Sequence, residues 1–539
     1  MAALLLACGA QGFIYQPGAG QIWDPSLIAW RGSYYAIAMY SEAGDGAYKA
    51  GWLASSPDGA HWNDEGPIAS SLPGIQWWKG FVLQLRGEPE PLFVLNHGIY
   101  EPGSGNDALR VLTSPDLRNW TVSATSRSNP TWYHPSRWDH MYMSEHPDGG
   151  YIGYPVSSPL SGFPGAWPGV QRSTDGVQWK AQAPLPVNWG GVHLTSIEEG
   201  GFERLELPDS SGRAHYFLIG GGCNFGSCYS MWAFRADSID GPYAPCTRRF
   251  RLSGGAGGTT PGQYGWLAAW SRGPNGERTI SNYMSPEARI ARADVWMLPM
   301  RAPLVDAEGN LRLGYWKGND ALLKPDATAL PPTTLACVGN LTAGWLAALD
   351  GAAHRQGSYL SAKLSASGTG AVGIAVEDVG ITRNGSYTAL LLDVGDADDL
   401  GTASRIVRYD APASPGWRGR RVVGVAQPDA AVGVLEVKGT FREVDRTGAF
   451  ECGTNTANVT CGVGLLTAFE PGAPRELLLL LRRGMFEVYL DDLLVQTFVY
   501  GGGYPLPAGG SGRIGLSCDG GGQLALSEGR VGRLDLPAE

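Results

Sequence analysis

The 539-residue chain has a formal net charge of −10, with 10% aromatic and only 17% charged residues. This length exceeds that of one ordinary hydrophobic core and indicates two domains. No basic run offers a stripe for phosphates, which argues against a nucleic-acid partner, and 78 Gly and 37 Pro favour an all-β fold of short strands and tight turns.

The N-terminal residues Met1–Cys8 are apolar, but they are too short and lack the basic start of a complete signal peptide. We interpret residues 1–12 as the remnant of one. No later apolar run reaches the roughly 18 residues that a membrane helix requires. Triplets for N-glycosylation begin at Asn119, Asn340, Asn384 and Asn458. We therefore expect a secreted glycoprotein in an extracellular or secretory compartment, without a membrane span.

A repeated layout begins with Asp24 in the stretch Gln21–Tyr40. Each unit combines an acid-led apolar run, a Gly or Asp-Gly turn, a Tyr-rich run and a landmark Trp or Tyr. The acid or its equivalent lies 38, 40, 40 and 40 residues before that landmark in the pairs Asp24–Trp62, Gly80–Trp120, Asp139–Trp179 and Glu203–Tyr243. A fifth unit begins near Trp266 and closes near Trp316. With about four strands per unit, the repeat predicts a five-bladed β-propeller over residues 13–323.

Three of the landmarks end related octets, Ser55–Trp62, Thr113–Trp120 and Arg172–Trp179. Their aspartates, Asp58, Asp116 and Asp175, recur as regularly as the acids that open the units. Side chains that hydrogen-bond the backbone of a turn explain such aspartates without chemistry. We therefore predict that they are structural.

Beyond Trp316 the repeat stops, and residues 324–335 form a Pro-rich stretch that we interpret as a linker. Apolar or alternating runs follow, such as Leu477–Leu481 and Met485–Leu490. Short runs of this kind, separated by turns, predict a β-sandwich over residues 336–539.

Cysteine and histidine spacing excludes the common zinc sites. The eight cysteines include two close pairs, Cys223/Cys228 and Cys452/Cys461, and four others at Cys8, Cys246, Cys337 and Cys518. We predict loop disulfides within the close pairs, with free buried thiols as the alternative. His134, His140 and His193 have no tight ligand spacing, so we expect neither a metal nor another cofactor.

Residues at the same offset in several blades of a propeller converge on one axial channel. Asp24, Asp139 and Glu203 should therefore meet there, whereas the second blade has Gly80. Crowding and burial are expected to raise the pKa of at least one carboxyl group, and a protonated acid beside an ionised partner is typical of glycosidic bond cleavage. Candidate substrate-binding residues beside this channel are Trp23, Trp77, Trp78, Arg137 and Trp138. Tryptophan rings suit the faces of sugars, although burial between blades is the alternative.

At these positions the chain resembles the clan of five-bladed glycoside hydrolases, and most of all family 32, the invertase and fructan-hydrolase group. Gln21–Leu27 shares the Asp-Pro of the family's Trp-Met-Asn-Asp-Pro-Asn-Gly motif. Arg137–His140 resembles its Arg-Asp-Pro motif, and Glu203–Leu207 resembles Glu-Cys-Pro-Asp-Leu.

The resemblance implies that Asp24 is the nucleophile, Asp139 the transition-state stabiliser and Glu203 the general acid/base of a retaining reaction. Glu206 is the main rival of Glu203, and Glu198 and Glu199 lie in the same stretch. The implied substrate is a β-fructofuranoside, sucrose or a fructan, with no metal in the mechanism.

Two other functions remain open. The run Asp24-Pro-Ser-Leu followed by Gly32-Ser-Tyr-Tyr is similar to family 43, whose members act on arabinans and xylans. A third hypothesis is a carbohydrate-binding propeller without catalysis, because Trp23, Ser26 and Leu27 stand where family 32 holds the sugar ring.

Overall fold

The computed structural model describes residues 14–42, 48–70, 80–86, 90–98, 106–160, 167–188, 198–208, 212–224, 228–245, 251–254, 265–284, 296–307, 309–337, 342–349, 356–377, 387–394, 404–410, 419–422, 425–429, 434–438, 470–482, 485–499 and 512–536. It divides into two compact units. The first comprises residues 1–247, 265–311 and 316–319, and the second comprises residues 248–264, 312–315 and 320–539. The described residues contain no helix that is long and apolar enough to cross a membrane.

The first unit begins with eight strands that form one sheet. They are β1 (Gln21–Trp30), β2 (Ser33–Ser41), β3 (Ala50–Ser56), β4 (Asn63–Ser70), β5 (Val82–Gln84), β6 (Phe93–Gly98), β7 (Ala108–Ser114) and β8 (Asn119–Arg127). Their order is β1-β2-β3-β4-β8-β7-β6-β5. Each half consists of antiparallel hairpins, and a short parallel contact between β4 and β8 joins the halves. The two halves correspond to the first two sequence repeats.

Two further antiparallel groups follow in the same unit. The third group contains β9 (Tyr133–Glu145), β10 (Tyr151–Pro159), β11 (Trp167–Pro168), β12 (Val170–Ser173) and β13 (Lys180–Gln182). The fourth contains β14 (Glu198–Glu206), β15 (Ala214–Asn224), β16 (Cys228–Ala236) and β17 (Ala244–Pro245). Each group begins with a long strand that carries one of the predicted acids and pairs with the next strand of the chain.

A last group completes the first unit. After β18 (Arg251–Gly254), which belongs to the second unit, come β19 (Gly265–Arg272), β20 (Arg278–Met284), β21 (Trp296–Met297) and β22 (Arg301–Val305). Strand β20 pairs with β19, β21 and β22. Successive antiparallel groups of this kind form the propeller predicted from the sequence, whose count of five blades stays a prediction.

The octets close turns through their own side chains, as predicted. Asp58 Oδ1 accepts a hydrogen bond from the backbone N–H of His61 at 2.8 Å, and the Trp62 indole donates to a carbonyl of the same turn at 3.1 Å. Equivalent bonds surround Asp116 and Asp175. These aspartates are structural, because their oxygens satisfy backbone donors that the turn leaves without partners.

The second unit is the predicted β-sandwich. Its strands are β23 (Leu311–Tyr315, shared at its first residue with the other unit), β24 (Thr328–Ala329), β25 (Thr333–Ala336), β26 (Thr342–Leu349), β27 (Ser358–Glu377), β28 (Tyr387–Val394), β29 (Ser404–Asp410), β30 (Gly419–Val422), β31 (Val425–Asp429), β32 (Val434–Lys438), β33 (Pro474–Arg482), β34 (Met485–Leu490), β35 (Leu493–Val499) and β36 (Gly512–Arg533). A 3-10 helix spans Lys317–Leu322, and its first three residues belong to the first unit.

The long antiparallel pair of β27 and β36 dominates this unit, from Ser358↔Arg533 to Val376↔Ile514. Alternate residues of both strands, with Leu479 from β33, form one hydrophobic core. The stretch 324–335, predicted to be a linker, instead contributes β24 and part of β25, both paired with β36. Pro325 precedes β24, and Pro331 and Pro332 lie between the two short strands, where no ladder hydrogen bond is lost.

A disulfide joins Cys337 and Cys518, which the sequence analysis left without a partner. Their Cα atoms are 5.7 Å apart, and both residues lie in the sandwich core. The side chains of the predicted pair Cys223/Cys228 and all of Cys452/Cys461 lie outside the described residues. The sequence alone gave no spacing signal for this bridge, because its partners are 181 residues apart.

Replacing both Cys337 and Cys518 by Ala should destabilise the sandwich by about 2–5 kcal/mol, because the bridge restricts a very long loop in the unfolded chain. Thermal unfolding of the oxidised proteins measures the loss. As a control, a reductant should lower the melting temperature of the wild type by more than that of the double variant. Equal melting temperatures of the oxidised wild type and the variant would contradict a stabilising bridge.

Candidate active site

Asp24 lies in a β-bulge of β1. The pairing with β2 passes from Trp23↔Met39 to Ser26↔Ile37, so β1 contains one extra residue at this point. The φ angle of Asp24 is +51°, a left-handed conformation that aspartate tolerates better than most residues. A bulge redirects a side chain out of the regular alternation of a strand. Asp24, the acid with which the first repeat begins, therefore lies where β1 departs from regular strand geometry.

Aromatic residues surround the Asp24 carboxylate. The Tyr283 hydroxyl donates a hydrogen bond to Asp24 Oδ1. Trp23 packs edge-on against Tyr283, with ring centroids 5.2 Å apart, and also lies near Tyr48. Burial, and then the negative charge of Asp24, raise the pKa of Tyr48. The partly buried Asp24 carboxylate thus accepts a hydrogen bond from one phenol, and its charge acts on a second.

Arg137 connects Asp139 to Glu198. Its Nε donates to Asp139 Oδ2 at 2.8 Å, and a terminal nitrogen donates to Glu198 Oε1 at 2.6 Å. His140 Nδ1 lies 3.3 Å from Asp139 Oδ1. The structure therefore brings two of the predicted residues, Arg137 and Asp139, together with Glu198. The sequence analysis had named Glu198 only as an alternative to Glu203.

The arginine reverses the expected effect of crowding. Burial alone would raise the pKa of Asp139, but the charge of Arg137 and the contact with His140 lower it below its usual value. For Glu198, burial again raises the pKa, while Arg137 and His140 outweigh it and lower the pKa. The expectation that crowding raises a carboxyl pKa is wrong for this pair, because a cation separates the two anions.

Glu203 is buried in a different environment. Arg272 donates hydrogen bonds to both of its carboxylate oxygens, at 2.7 and 2.9 Å, and Arg278 donates to Oε2 at 3.0 Å. Glu206, its rival in the sequence, is exposed at the end of β14. The two arginines make Glu203 a compensated buried charge that ties β14 to the hairpin β19–β20.

Asp24 and Glu203 contact opposite ends of that hairpin. Arg272 pairs with Arg278 at the turn, whereas Tyr283, the partner of Asp24, pairs with Trp266 at the open end. The five residue-to-residue steps from Arg278 to Tyr283 span about 17 Å of extended strand. The contacts of Glu203 and of Asp24 thus lie at opposite ends of this hairpin, and the role of Glu203 as general acid/base stays a prediction.

Glu198 lies at the other end of β14 from Glu203. It is the first residue of that strand, about 15 Å from Glu203 along the chain direction. Asp24 is likewise near the start of its own strand, β1. Of the two glutamates, Glu198 is thus the one at the start of β14, and it is the one that shares Arg137 with Asp139.

The structure places the candidate substrate-binding residues in different environments. Trp138 is 0% exposed and packs against Tyr133 in the hydrophobic core, so its assignment to substrate binding is wrong. Trp23 is only 7% exposed and packs against Tyr283, the residue that donates a hydrogen bond to Asp24. Trp77 and Trp78 lie outside the described residues. Arg137, whose side chain is 25% exposed, remains available for a ligand.

Gly80 explains the missing carboxylate of the second repeat. A Cβ atom at this position would lie 1.8 Å from the backbone oxygen of Asn96, so the strand approach leaves room only for glycine.

Among the described residues, no group of three His, Cys, Asp or Glu side chains is arranged to hold a metal ion.

Comparisons with known proteins identify the fold. No protein-family model and no curated protein sequence matches the chain. Solved structures do: β-fructofuranosidase from Schwanniomyces occidentalis complexed with fructosyl-erythritol aligns with a TM-score of 0.62 and 11% identity, over 98% of each chain. Fructan 1-exohydrolase IIa from Cichorium intybus aligns with a TM-score of 0.59 and 12% identity, over 97% of each chain.

A β-fructofuranosidase from Aspergillus kawachii aligns with a TM-score of 0.61 and 14% identity, over 98% of this chain and 94% of that chain. The predicted all-β architecture, a propeller followed by a sandwich, is thereby confirmed. At these identities the likeness concerns the fold, and the chemistry depends on the residues described above.

Replacing Arg137 by Met should destabilise the protein by about 3 kcal/mol at pH 7, because it leaves the buried carboxylate of Asp139 and the partly buried carboxylate of Glu198 without their shared cation. Both carboxyl groups have lower pKa values in the folded protein than the ordinary values near 4. This difference stabilises the wild type at pH values above about 4, and the stabilisation disappears as the pH falls through the lowered pKa values. The difference between the proteins should thus shrink on acidification. Urea unfolding between pH 3 and 7 measures it.

Arg127→Met is the matched control, since Arg127 pairs with Asp107 on the surface. It should change the free energy of unfolding by less than about 1 kcal/mol. A pH-independent loss in Arg137→Met would show that lost packing, not charge, explains the effect.

Proposed function

We propose that this protein is a glycoside hydrolase that cleaves β-fructofuranosidic bonds in sucrose or a fructan. The observation that carries the proposal is the contact of Arg137 with Asp139 and Glu198, with Asp24 on the bulge of β1. Carboxylates gathered in a propeller channel are suited to glycosidic cleavage. The fold shared with fructan exohydrolase and β-fructofuranosidases supports fructosides as the substrate class.

In the proposed reaction, Asp24 attacks the anomeric carbon while a general acid protonates the leaving oxygen. The resulting glycosyl-enzyme is then opened by water, so the configuration is retained. The hydrogen bond from Tyr283 favours the ionised form of Asp24 that a nucleophile requires. The negative charge of Asp139 favours the positive charge that develops on the sugar ring in the transition state.

We assign the general acid/base to Glu198 in place of Glu203. A retaining pair of carboxyl groups lies roughly 5–5.5 Å apart. Glu203 contacts the turn of the β19–β20 hairpin, whereas Tyr283, the hydrogen-bond partner of Asp24, lies at its open end. Arg137 favours the ionised form of Glu198, which suits the base that activates water in the second step. The first step needs Glu198 protonated, so activity should be highest at acidic pH.

A secretory location accompanies this proposal. The Cys337–Cys518 disulfide favours an oxidising compartment. Asn119, which begins a glycosylation triplet, is exposed at the start of β8. A glycoprotein that meets its sugar substrate outside the cytosol fits both features.

Incubation with sucrose, inulin, levan and arabinan tests the function, with sugar release as the measurement. We expect fructose from at least one fructoside and none after Asp24→Asn, which should reduce kcat by about 10⁴-fold or more because no covalent intermediate forms. Asp107→Asn, at a partly exposed aspartate that pairs with Arg127, is the control and should retain activity. Turnover of arabinan alone would indicate an arabinan hydrolase, and silence on every sugar would indicate a binding protein.

Glu198→Gln and Glu203→Gln separate the two candidate acids. Glu198→Gln should lower kcat by about 10²–10⁴-fold, and less for substrates whose leaving group needs no protonation. Glu203→Gln should instead lower the melting temperature, because Arg272 and Arg278 lose their counter-charge, while the folded fraction keeps its kcat. The reverse pattern would return the acid/base role to Glu203.

A further inference from the structure

The third group contains a second irregular strand. In β9, the pairing with β10 passes from Asp139↔Val156 to Met141↔Pro155, so His140 is an extra residue. Neighbouring residues of a regular strand point to opposite faces. Here His140 Nδ1 lies 3.3 Å from Asp139 Oδ1. The bulge therefore places these two consecutive side chains next to each other.

The core on the other side of β9 shows the same shift in register. Trp138 and Met141 are three residues apart and would face opposite ways in a regular strand. Both are fully buried in one hydrophobic cluster. The extra residue thus lets the strand fill the core on both sides of the bulge while it presents Asp139 and His140 together.

Asn96 binds the backbone immediately after the extra residue. It is a fully buried residue of β6, in the neighbouring group of strands. Its Nδ2 donates to the Met141 carbonyl at 2.6 Å, and its Oδ1 accepts from the Met141 N–H at 2.6 Å. Because one amide supplies both a donor and an acceptor, it acts on Met141 as a paired strand would.

Strand β10 leaves this contact to Asn96. Pro155, the register partner of Met141, has its carbonyl bonded to the N–H of Gly169 at 2.7 Å, so its backbone polar groups face away from β9. A buried carbonyl without a donor is costly, and Asn96 Nδ2 supplies one. The close approach of Gly80 to the Asn96 backbone oxygen leaves little room for this strand to move.

We propose that Asn96 is a positioning residue for the reaction: its amide holds the β9 bulge that sets Asp139 and His140 beside Arg137 and Glu198. Its effect on turnover rests on the proposed function. Its effect on the bulge depends only on the contacts described above.

Asn96→Ala tests the proposal in the full-length chain. Hydrogen exchange followed by mass spectrometry should show at least about 10-fold lower protection in the peptide covering Arg137–Glu145. On the fructoside that the wild type cleaves, kcat should fall by about 100-fold, because small displacements of catalytic groups have effects of that size. Circular dichroism and thermal unfolding confirm that the variant folds.

Asn96→Asp provides a reversible version of the same test. An ionised carboxylate only accepts hydrogen bonds, whereas a protonated carboxyl group has one donor and one acceptor, as the amide does. Burial raises the pKa of such a group. Protection of the β9 peptide and kcat, each divided by the wild-type value at the same pH, should therefore recover as the pH falls.

Asn319→Ala is the matched control. Asn319 is also fully buried and donates to a backbone carbonyl, that of Met300, at 2.7 Å. Its loss should reduce stability but leave kcat within about twofold of the wild type and the β9 peptide unchanged.

Unchanged protection of the β9 peptide in Asn96→Ala, or an equal change in Asn319→Ala, would overturn the proposal. So would a loosened peptide with wild-type kcat, or an Asn96→Asp protein that does not recover in acid. If the wild type cleaves no fructoside, the proposed function fails, while the exchange data still decide whether Asn96 holds the bulge.

Discussion

The register shift that recurs in the first strand of successive groups is the constraint on which the site depends. An extra residue occurs between Trp23 and Ser26 in β1, at His140 in β9, between Glu199 and Gly201 in β14, and between Trp266 and Ala269 in β19. A regular strand alternates its side chains between two faces. Each shift changes that alternation once, so apolar residues can fill the core on both sides while a polar side chain enters the channel. The candidate carboxylates lie at or within three residues of such a shift.

Arginine decides what each buried carboxylate can do. Arg137 shares its nitrogens between Asp139 and Glu198 and stays partly exposed, so a ligand could compete for it. Arg272 and Arg278 instead engage both oxygens of Glu203, which leaves that carboxylate committed to structure. Buried charges persist only when they are compensated in one of these ways. Arginines thus contact a glutamate near each end of β14: one arginine shared with Asp139 at Glu198, and two arginines at Glu203.

Features set by nearby residues were predictable from the sequence, and features set by distant pairing were not. The structural role of the octet aspartates was predictable, because the hydrogen bonds of Asp58 reach only as far as His61. The repeat likewise predicted the propeller. Glu198 was not distinguished from Glu203, because a constant 40-residue spacing does not reveal an extra residue inside a strand. Trp138 and Asp139 were both assigned to the channel, although strand alternation sends one of them into the core. The partner of Cys337 depended on β36, far along the chain.

The pairing of β27 with β36 has a consequence for biosynthesis. Ser358 meets Arg533 across 175 residues of chain, and β36 also carries the edges formed by β24, β25 and β26. At about 5–20 residues per second, the ribosome needs roughly 10–35 s to make the intervening chain. During that interval, strands such as β26 lack their partner β36. Chaperones that shield nascent chains should therefore matter more for the sandwich than for the propeller, whose hairpins can pair soon after they emerge.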